Sequence, residues 1–92
     1  MKRLDGNVTI ITGGGKGIGY GLAQAFAEEG SNLVLTGRTE SRLVEAKKKL
    51  EEKYGIEVLP IVADGADEAA IKNVVAKSIE KFGKINTLVN NA

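Results

Sequence analysis

A chain of 92 residues with an ordinary apolar share of 42% has room for one small domain and one modest core. Thirteen basic residues against twelve acidic ones leave a net charge of +1, so charge gives no reason to expect nucleic acid or an anionic membrane as a partner. Cysteine and histidine are both absent, which excludes disulfides, thiolate metal sites and the usual general base.

The opening residues, MKRLDGN, contain no apolar segment of the signal-peptide kind, and no apolar run approaches the roughly 20 residues of a membrane span. A cytoplasmic location is therefore expected. Val8 to Thr12, VTIIT, is β-branched and bounded by turn residues, and it reads as a first strand. Ile18, Leu22, Ala25 and Phe26 then recur at helical spacing, with Gly30 as the C-terminal stop. Asn32 to Thr36 is a second strand. Thr39 can cap a second helix whose apolar stripe is Leu43, Ala46, Leu50 and Tyr54, closed by Gly55. Glu57 to Ala63 is a third strand. Asp67 caps a third helix with Ile71, Val74, Val75, Ile79 and Phe82 on one face, and Gly83 ends it. Ile85 to Ala92 is a fourth strand.

Strands that alternate with helices imply an α/β fold with a parallel sheet. Its strands are near-continuous apolar runs, as expected where both faces are covered. Right-handed crossovers favour the strand order 3-2-1-4, part of a doubly wound, Rossmann-like fold. Pro60 agrees, because proline cannot donate to a central ladder and belongs on an edge strand. No repeat or linker divides the chain, so residues 1–92 read as one unit.

The stretch TIITGGGKGIG places five glycines between Gly13 and Gly19. One glycine would suffice for a tight turn. A Walker A loop fits Gly15-Lys16, but Gly17 stands where the magnesium-binding hydroxyl must be. A dinucleotide loop remains, although the strict G-x-G-x-x-G string does not occur. In that reading Gly13 turns the chain off the first strand. Gly17 and Gly19 remove side chains where the helix start meets cofactor and sheet, and the helix N-terminus faces the pyrophosphate. Gly14 and Gly15 read as permissive positions.

The pattern Thr12-Gly13-x-x-x-Gly17-Ile18-Gly19 resembles the glycine motif of the short-chain dehydrogenase/reductase family. Asn90-Asn91-Ala92 resembles the start of that family's N-N-A-G motif, and Asp64, after the third strand, matches its aspartate beside the adenine ring. The resemblance covers the whole chain. It implies a cofactor loop made of Gly13, Gly15, Lys16, Gly17, Ile18 and Gly19, with Arg38, Asp64, Gly65 and Asn90 completing the dinucleotide site.

Cofactor choice is a separate inference. NAD sites place a carboxylate about 20 residues beyond the glycine loop, on the ribose 2′-hydroxyl. Here the second strand runs into Gly37-Arg38 with no acid. Arg38 together with Lys16 suits the 2′-phosphate of NADP by charge and by guanidinium geometry. NADP is the cofactor expected, ahead of NAD.

The family's mechanism uses a serine and a Tyr-x-x-x-Lys pair. Neither Tyr20 nor Tyr54 has a lysine four residues later, so no catalytic residue is assigned, and no metal ligand either. The chain reads as the dinucleotide-binding half of an NADP-dependent oxidoreductase that interconverts a carbonyl and an alcohol, with the catalytic half outside these residues. A small-molecule substrate and a homo-oligomeric full-length protein are implied. These residues by themselves are expected to be inactive. The alternative is a half-Rossmann nucleotide-binding or assembly module with no catalysis of its own. Two helices would cover one sheet face and one helix the other, leaving the fourth strand as an exposed edge. That arrangement points to a longer parent chain.

Overall fold

The computed structural model describes residues 3–15, 17–65 and 67–91. Strands β1 (Val8–Thr12), β2 (Asn32–Gly37), β3 (Val58–Val62) and β4 (Thr87–Asn90) alternate with helices α1 (Gly17–Glu28), α2 (Glu40–Tyr54) and α3 (Glu68–Phe82). All the pairings are parallel, and the sheet order is β3-β2-β1-β4. The outer strands β3 and β4 are shorter than the sequence pattern suggests. Of their flanking apolar residues, Ile85 packs on the core before β4 begins, and Ala63 packs on it while its N–H still donates to the Gly37 carbonyl at 2.9 Å.

Alternation along each strand sends side chains to two cores. Ile11, Leu33, Leu35 and Val58 meet α1 and α2 on one face, through Ala23, Ala27, Leu43, Ala46 and Leu50. Val8, Ile10, Val34 and Ile61 meet α3 on the other, chiefly through Val74.

The buried face of α1 differs from the expected stripe. It consists of Gly19, Ala23 and Ala27, while Leu22 and Phe26 pack along its flank. Ile18 is 77% exposed. Small residues win the inner face because α1 lies close on the turn that follows β1. A Cβ on Gly19 would come within 1.9 Å of the Gly13 carbonyl oxygen. In α3, Ser78 is buried with its hydroxyl donating to the Val74 carbonyl at 2.7 Å, while Ile79, expected inside, is half exposed.

The helix ends are built as their sequences suggest, with one exception. The Asp67 carboxylate accepts from the Ala69 and Ala70 N–H groups at 3.0 and 3.2 Å. Gly30, Gly55 and Gly83 take positive φ after the three helices. At α1, Gly30 N–H donates to the Ala27 carbonyl and Ser31 N–H to that of Phe26, which is a Schellman closure. The exception is Thr39, which occupies the N-cap position of α2 but makes no side-chain cap bond.

Candidate functional site: a groove at the carboxyl ends of the strands

In an open parallel sheet, ligands bind beyond the carboxyl ends of the strands, where the strand order reverses about β1. Here that place is a groove of about 640 Å³. Four segments meet there: Thr12, Gly13 and Gly15 after β1; Gly37 to Thr39 with Arg42 and Leu43 after β2; Ala63 to Gly65 after β3; and Asn90 and Asn91 at the end of β4.

The turn after β1 is fixed from several sides. Gly13 has φ +70°, and a Cβ there would lie 2.8 Å from the Asn91 carbonyl oxygen. Gly14 N–H donates to the Thr36 carbonyl at 3.1 Å. Gly14 is buried, and a Cβ there would meet Leu35 Cδ2 at 2.6 Å. It is a close-packing position on β2 and not the permissive one expected. Gly15 lies against α2, with Arg42 Cβ 3.5 Å from where its own Cβ would be. Gly17 is different. Its φ is +59°, it is exposed, and a Cβ there would meet no atom within 4 Å.

Thr12 joins the turn to β4. Its hydroxyl donates to Asn90 Oδ1 at 3.0 Å and accepts from the Asn91 N–H at 2.9 Å. This ties the ends of β1 and β4 together at the groove floor. Across the groove, Arg38 Nη2 stands 3.4 Å from both Asp64 carboxylate oxygens. The Arg38 side chain is 78% exposed, so in water this pair contributes little to stability.

Six of the sequence-selected residues therefore line one groove: Gly13, Gly15, Arg38, Asp64, Gly65 and Asn90. Gly19 lies buried beneath the Gly13 turn. Gly17 and Ile18 stand exposed at the first turn of α1, outside that lining. Lys16 falls outside the described residues. The sequence reading missed Arg42, Leu43 and Thr39 as groove residues. Leu43 reads as core and Thr39 as a cap. The signal for Arg42 is its place in the first turn of the helix that follows Gly37-Arg38.

The family model for short chain dehydrogenase matches residues 7–92. The chain belongs to this family. It is 54% identical over 98 residues to a 12alpha-hydroxysteroid dehydrogenase of Clostridium sp., covering 100% of this chain and 38% of that protein. An uncharacterized oxidoreductase of Thermotoga maritima is 44% identical over 89 residues, covering 97% of this chain and 34% of its own length.

Among solved structures, L-sorbose reductase from Gluconobacter frateurii, complexed with NADPH and L-sorbose, superposes with a TM-score of 0.92 at 42% identity, covering 97% of this chain and 34% of that one. An NAD+-bound xylitol dehydrogenase superposes equally well, with a TM-score of 0.92 at 35% identity over 99% of this chain and 35% of that one. The short-chain dehydrogenase chain described here thus spans little more than a third of the length of these relatives. Like the solved structures it carries a parallel, Rossmann-like sheet with strand order 3-2-1-4. No described helix is long and apolar enough to cross a membrane.

Proposed function

We propose that this chain is the cofactor-binding segment of an NADP-dependent oxidoreductase that interconverts a carbonyl and an alcohol. The observation that carries the cofactor choice is the end of β2. Gly37 and Arg38 border the groove where an NAD site needs a carboxylate, and a second guanidinium, Arg42, lines the same wall. The NADPH complex of the sorbose reductase supports this reading. The NAD+-bound xylitol dehydrogenase shares the fold equally, so the choice rests on these side chains and not on the fold.

The residues present fit a dinucleotide. Gly17 leaves open space at the start of α1, where a side chain would fill the approach to the helix N-terminus. The Gly13 turn would take the pyrophosphate. Asp64 and Gly65, with Ala63 and Leu43, would frame the adenine, and Asn90 would stand by the ribose. Lys16, Ile18 and Gly19 belong to the same proposed loop. When bound, the nicotinamide supplies or accepts the hydride. A small-molecule substrate, a cytoplasmic setting and a homo-oligomeric assembly complete the proposal.

The alternative is a nucleotide-binding or assembly half without catalysis of its own. One observation favours it for these 92 residues taken alone: no tyrosine has a lysine four positions on, and proton transfer needs a positioned donor.

Calorimetric titration with NADPH and NADH tests the cofactor choice. The protein should prefer NADPH, and Arg38→Ala should weaken NADPH by about tenfold, the effect of one charge-assisted contact, with NADH barely changed. Gly37→Asp should shift preference toward NADH, because a new carboxylate accepts from a free 2′-hydroxyl and repels a phosphate. A Cβ at Gly37 makes only a 3.4 Å contact with Leu43 Cδ2, so the substitution fits. A wild-type preference for NADH would overturn the assignment.

A further inference from the structure

The sequence holds three aspartates, and two of them stand directly before glycine, at Asp5-Gly6 and Asp64-Gly65. In an Asp-Gly step no side chain shields the glycine nitrogen, and the glycine backbone turns freely. That nitrogen can therefore reach the carboxyl carbon of the aspartate before it. Asp64-Gly65 is built to allow this. The Asp64 side chain is 47% exposed, so water reaches its carboxyl. Gly65 is exposed, and among the described residues its N–H donates to no acceptor. The last ladder bond before the step runs from the Ala63 N–H to the Gly37 carbonyl. Beyond it the loop is closed by the Asp67 N–H on the Asp64 carbonyl at 3.0 Å, a single-turn bond of the kind that local opening releases.

We propose that Asp64-Gly65 is a site of spontaneous backbone isomerisation, and that a dinucleotide in the groove protects it. The Gly65 nitrogen attacks Asp64 Cγ and gives up its proton. The hydroxyl of the protonated carboxyl leaves with that proton as water, and a five-membered succinimide closes. Water then opens the ring. Addition at Cγ restores aspartate. Addition at the former main-chain carbonyl leaves the chain running through Cγ, as isoaspartate. Nothing is oxidised or reduced, and the water lost in the first step returns in the second. The product has one more methylene in its backbone, and its free carboxylate is attached to Cα.

Position gives the reaction its consequence. Asp64 and Gly65 line the groove. The Asp64 carboxylate faces Arg38 at 3.4 Å, and a Cβ on Gly65 would lie 3.6 Å from Thr12 Cβ. A longer backbone shifts this wall against both. Conversely, a ligand seated in the groove holds the loop closed, and attack proceeds from the open loop. The protection rests on the dinucleotide reading above, whereas the isomerisation does not. Asp5-Gly6 supplies an internal reference. It precedes β1, at the opposite end of the parallel sheet, and lies outside the groove lining. Its turn is closed by the Asn7 N–H on the Leu4 carbonyl, with Gly6 at φ +83°.

The test is ageing of the full-length protein at neutral pH, alone and with NADPH or NADH, followed by peptide mapping with electron-transfer fragmentation, which separates isoaspartate from aspartate. Isoaspartate at residue 64 should accumulate in the cofactor-free protein. With cofactor at about ten times its calorimetric Kd, accumulation should be about tenfold slower, with the rate at Asp5 unchanged. Gly65→Ala should cut accumulation at residue 64 several-fold, because a methyl group shields the attacking nitrogen. A Cβ there makes only an ordinary contact, and melting temperature checks the fold. The isoaspartate fraction should bind the cofactor more weakly than fresh protein. If residue 64 stays unmodified in the folded protein while the excised peptide isomerises in solution, the proposal is overturned. Equal accumulation with and without a cofactor that calorimetry shows to be bound would overturn the protection. If calorimetry detects binding of neither dinucleotide, the dinucleotide reading and the protection fail together, and the cofactor-free rate at residue 64 still decides the isomerisation.

Discussion

Gly17 and Gly19 stand two residues apart in one motif and act for opposite reasons. At Gly19 a Cβ would run into the Gly13 backbone at 1.9 Å, so any side chain must move the turn itself. At Gly17 the surroundings are empty and only the backbone is special, with φ +59°. Gly19→Ala is therefore expected to lower stability and cofactor binding together. Gly17→Ala should cost only about 1–2 kcal/mol for the left-handed backbone while weakening dinucleotide binding more than that strain accounts for. Urea denaturation beside NADPH titration, both on the full-length protein, separates the two. Equal stability losses in both variants would contradict the distinction. The spacing of the glycines was legible because it constrains the backbone directly. The division of labour was not, because it depends on which atoms lie opposite each missing side chain. Ile18 was misplaced for a related reason. Apolar periodicity cannot tell that a helix lies so close to its sheet that only Gly19, Ala23 and Ala27 fit beneath it. Arg42 was hidden for a third, since one arginine on a charged helix looks like any other until the groove wall is known.

At the scale of the element, the edge strand β3 has a protected outer side. Leu33 N–H donates to the Glu57 carbonyl, and Ala63 N–H to that of Gly37. In a parallel ladder alternate residues bond the same neighbour, so the odd-numbered residues face β2 and Val58, Pro60 and Val62 face outward. Val58 N–H donates to Glu51 Oε2 at 2.9 Å, and its carbonyl accepts from Lys47 Nζ at 3.0 Å. Lys47 and Glu51 pair with each other at 2.7 Å. Pro60 has no N–H to expose. Such an edge offers little for another strand to pair with. The sequence placed Pro60 on an edge because its chemistry is local. It gave no sign of the Lys47–Glu51 clamp, which reads as one more i,i+4 pair on a charged helix.

The clamp has a pH signature. Partial burial would raise the Glu51 pKa, but the bond from Lys47, the bond from the Val58 N–H and the charge of Lys47 outweigh it and lower the pKa below 4.5. A depressed carboxylate stabilises the fold above its unfolded pKa and loses that contribution as pH falls through the folded value. Glu51→Ala is expected to cost about 1 kcal/mol at neutral pH, one partly exposed charge-assisted bond. The cost should shrink as pH falls below 4.5. Guanidinium melts of the full-length wild type and variant at neutral and acidic pH measure it. A cost independent of pH would mean that Glu51 acts by packing and not by charge.

At the scale of the whole molecule the two sheet faces are unequally covered. Helices α1 and α2 seal one core. On the other, α3 contributes only Val74 and Ser78 as fully buried residues, and Ile79 and Leu88 remain about half exposed at 49% and 52%. Leu88 pairs with Ile10 in the ladder and so lies on the α3 face, on the outer strand β4. Unlike β3, β4 has no proline and, among the described residues, no side-chain clamp on an outward-facing N–H. An apolar, unprotected edge is a template for pairing with another chain, and a domain of this size has little stability to spare. These 92 residues expressed alone are therefore expected to self-associate or to melt with low cooperativity. Leu88→Glu should reduce the association, because a charge on an edge strand opposes docking of a second strand. Its effect on melting should be small, since Leu88 is already half in water. Sedimentation velocity over a range of concentrations reads the association directly. A compact monomer with a sharp cooperative transition would show that α3 and β4 need no further cover. Association unchanged by Leu88→Glu would move the contact elsewhere, with Ile18, exposed in the first turn of α1, as the next surface to alter.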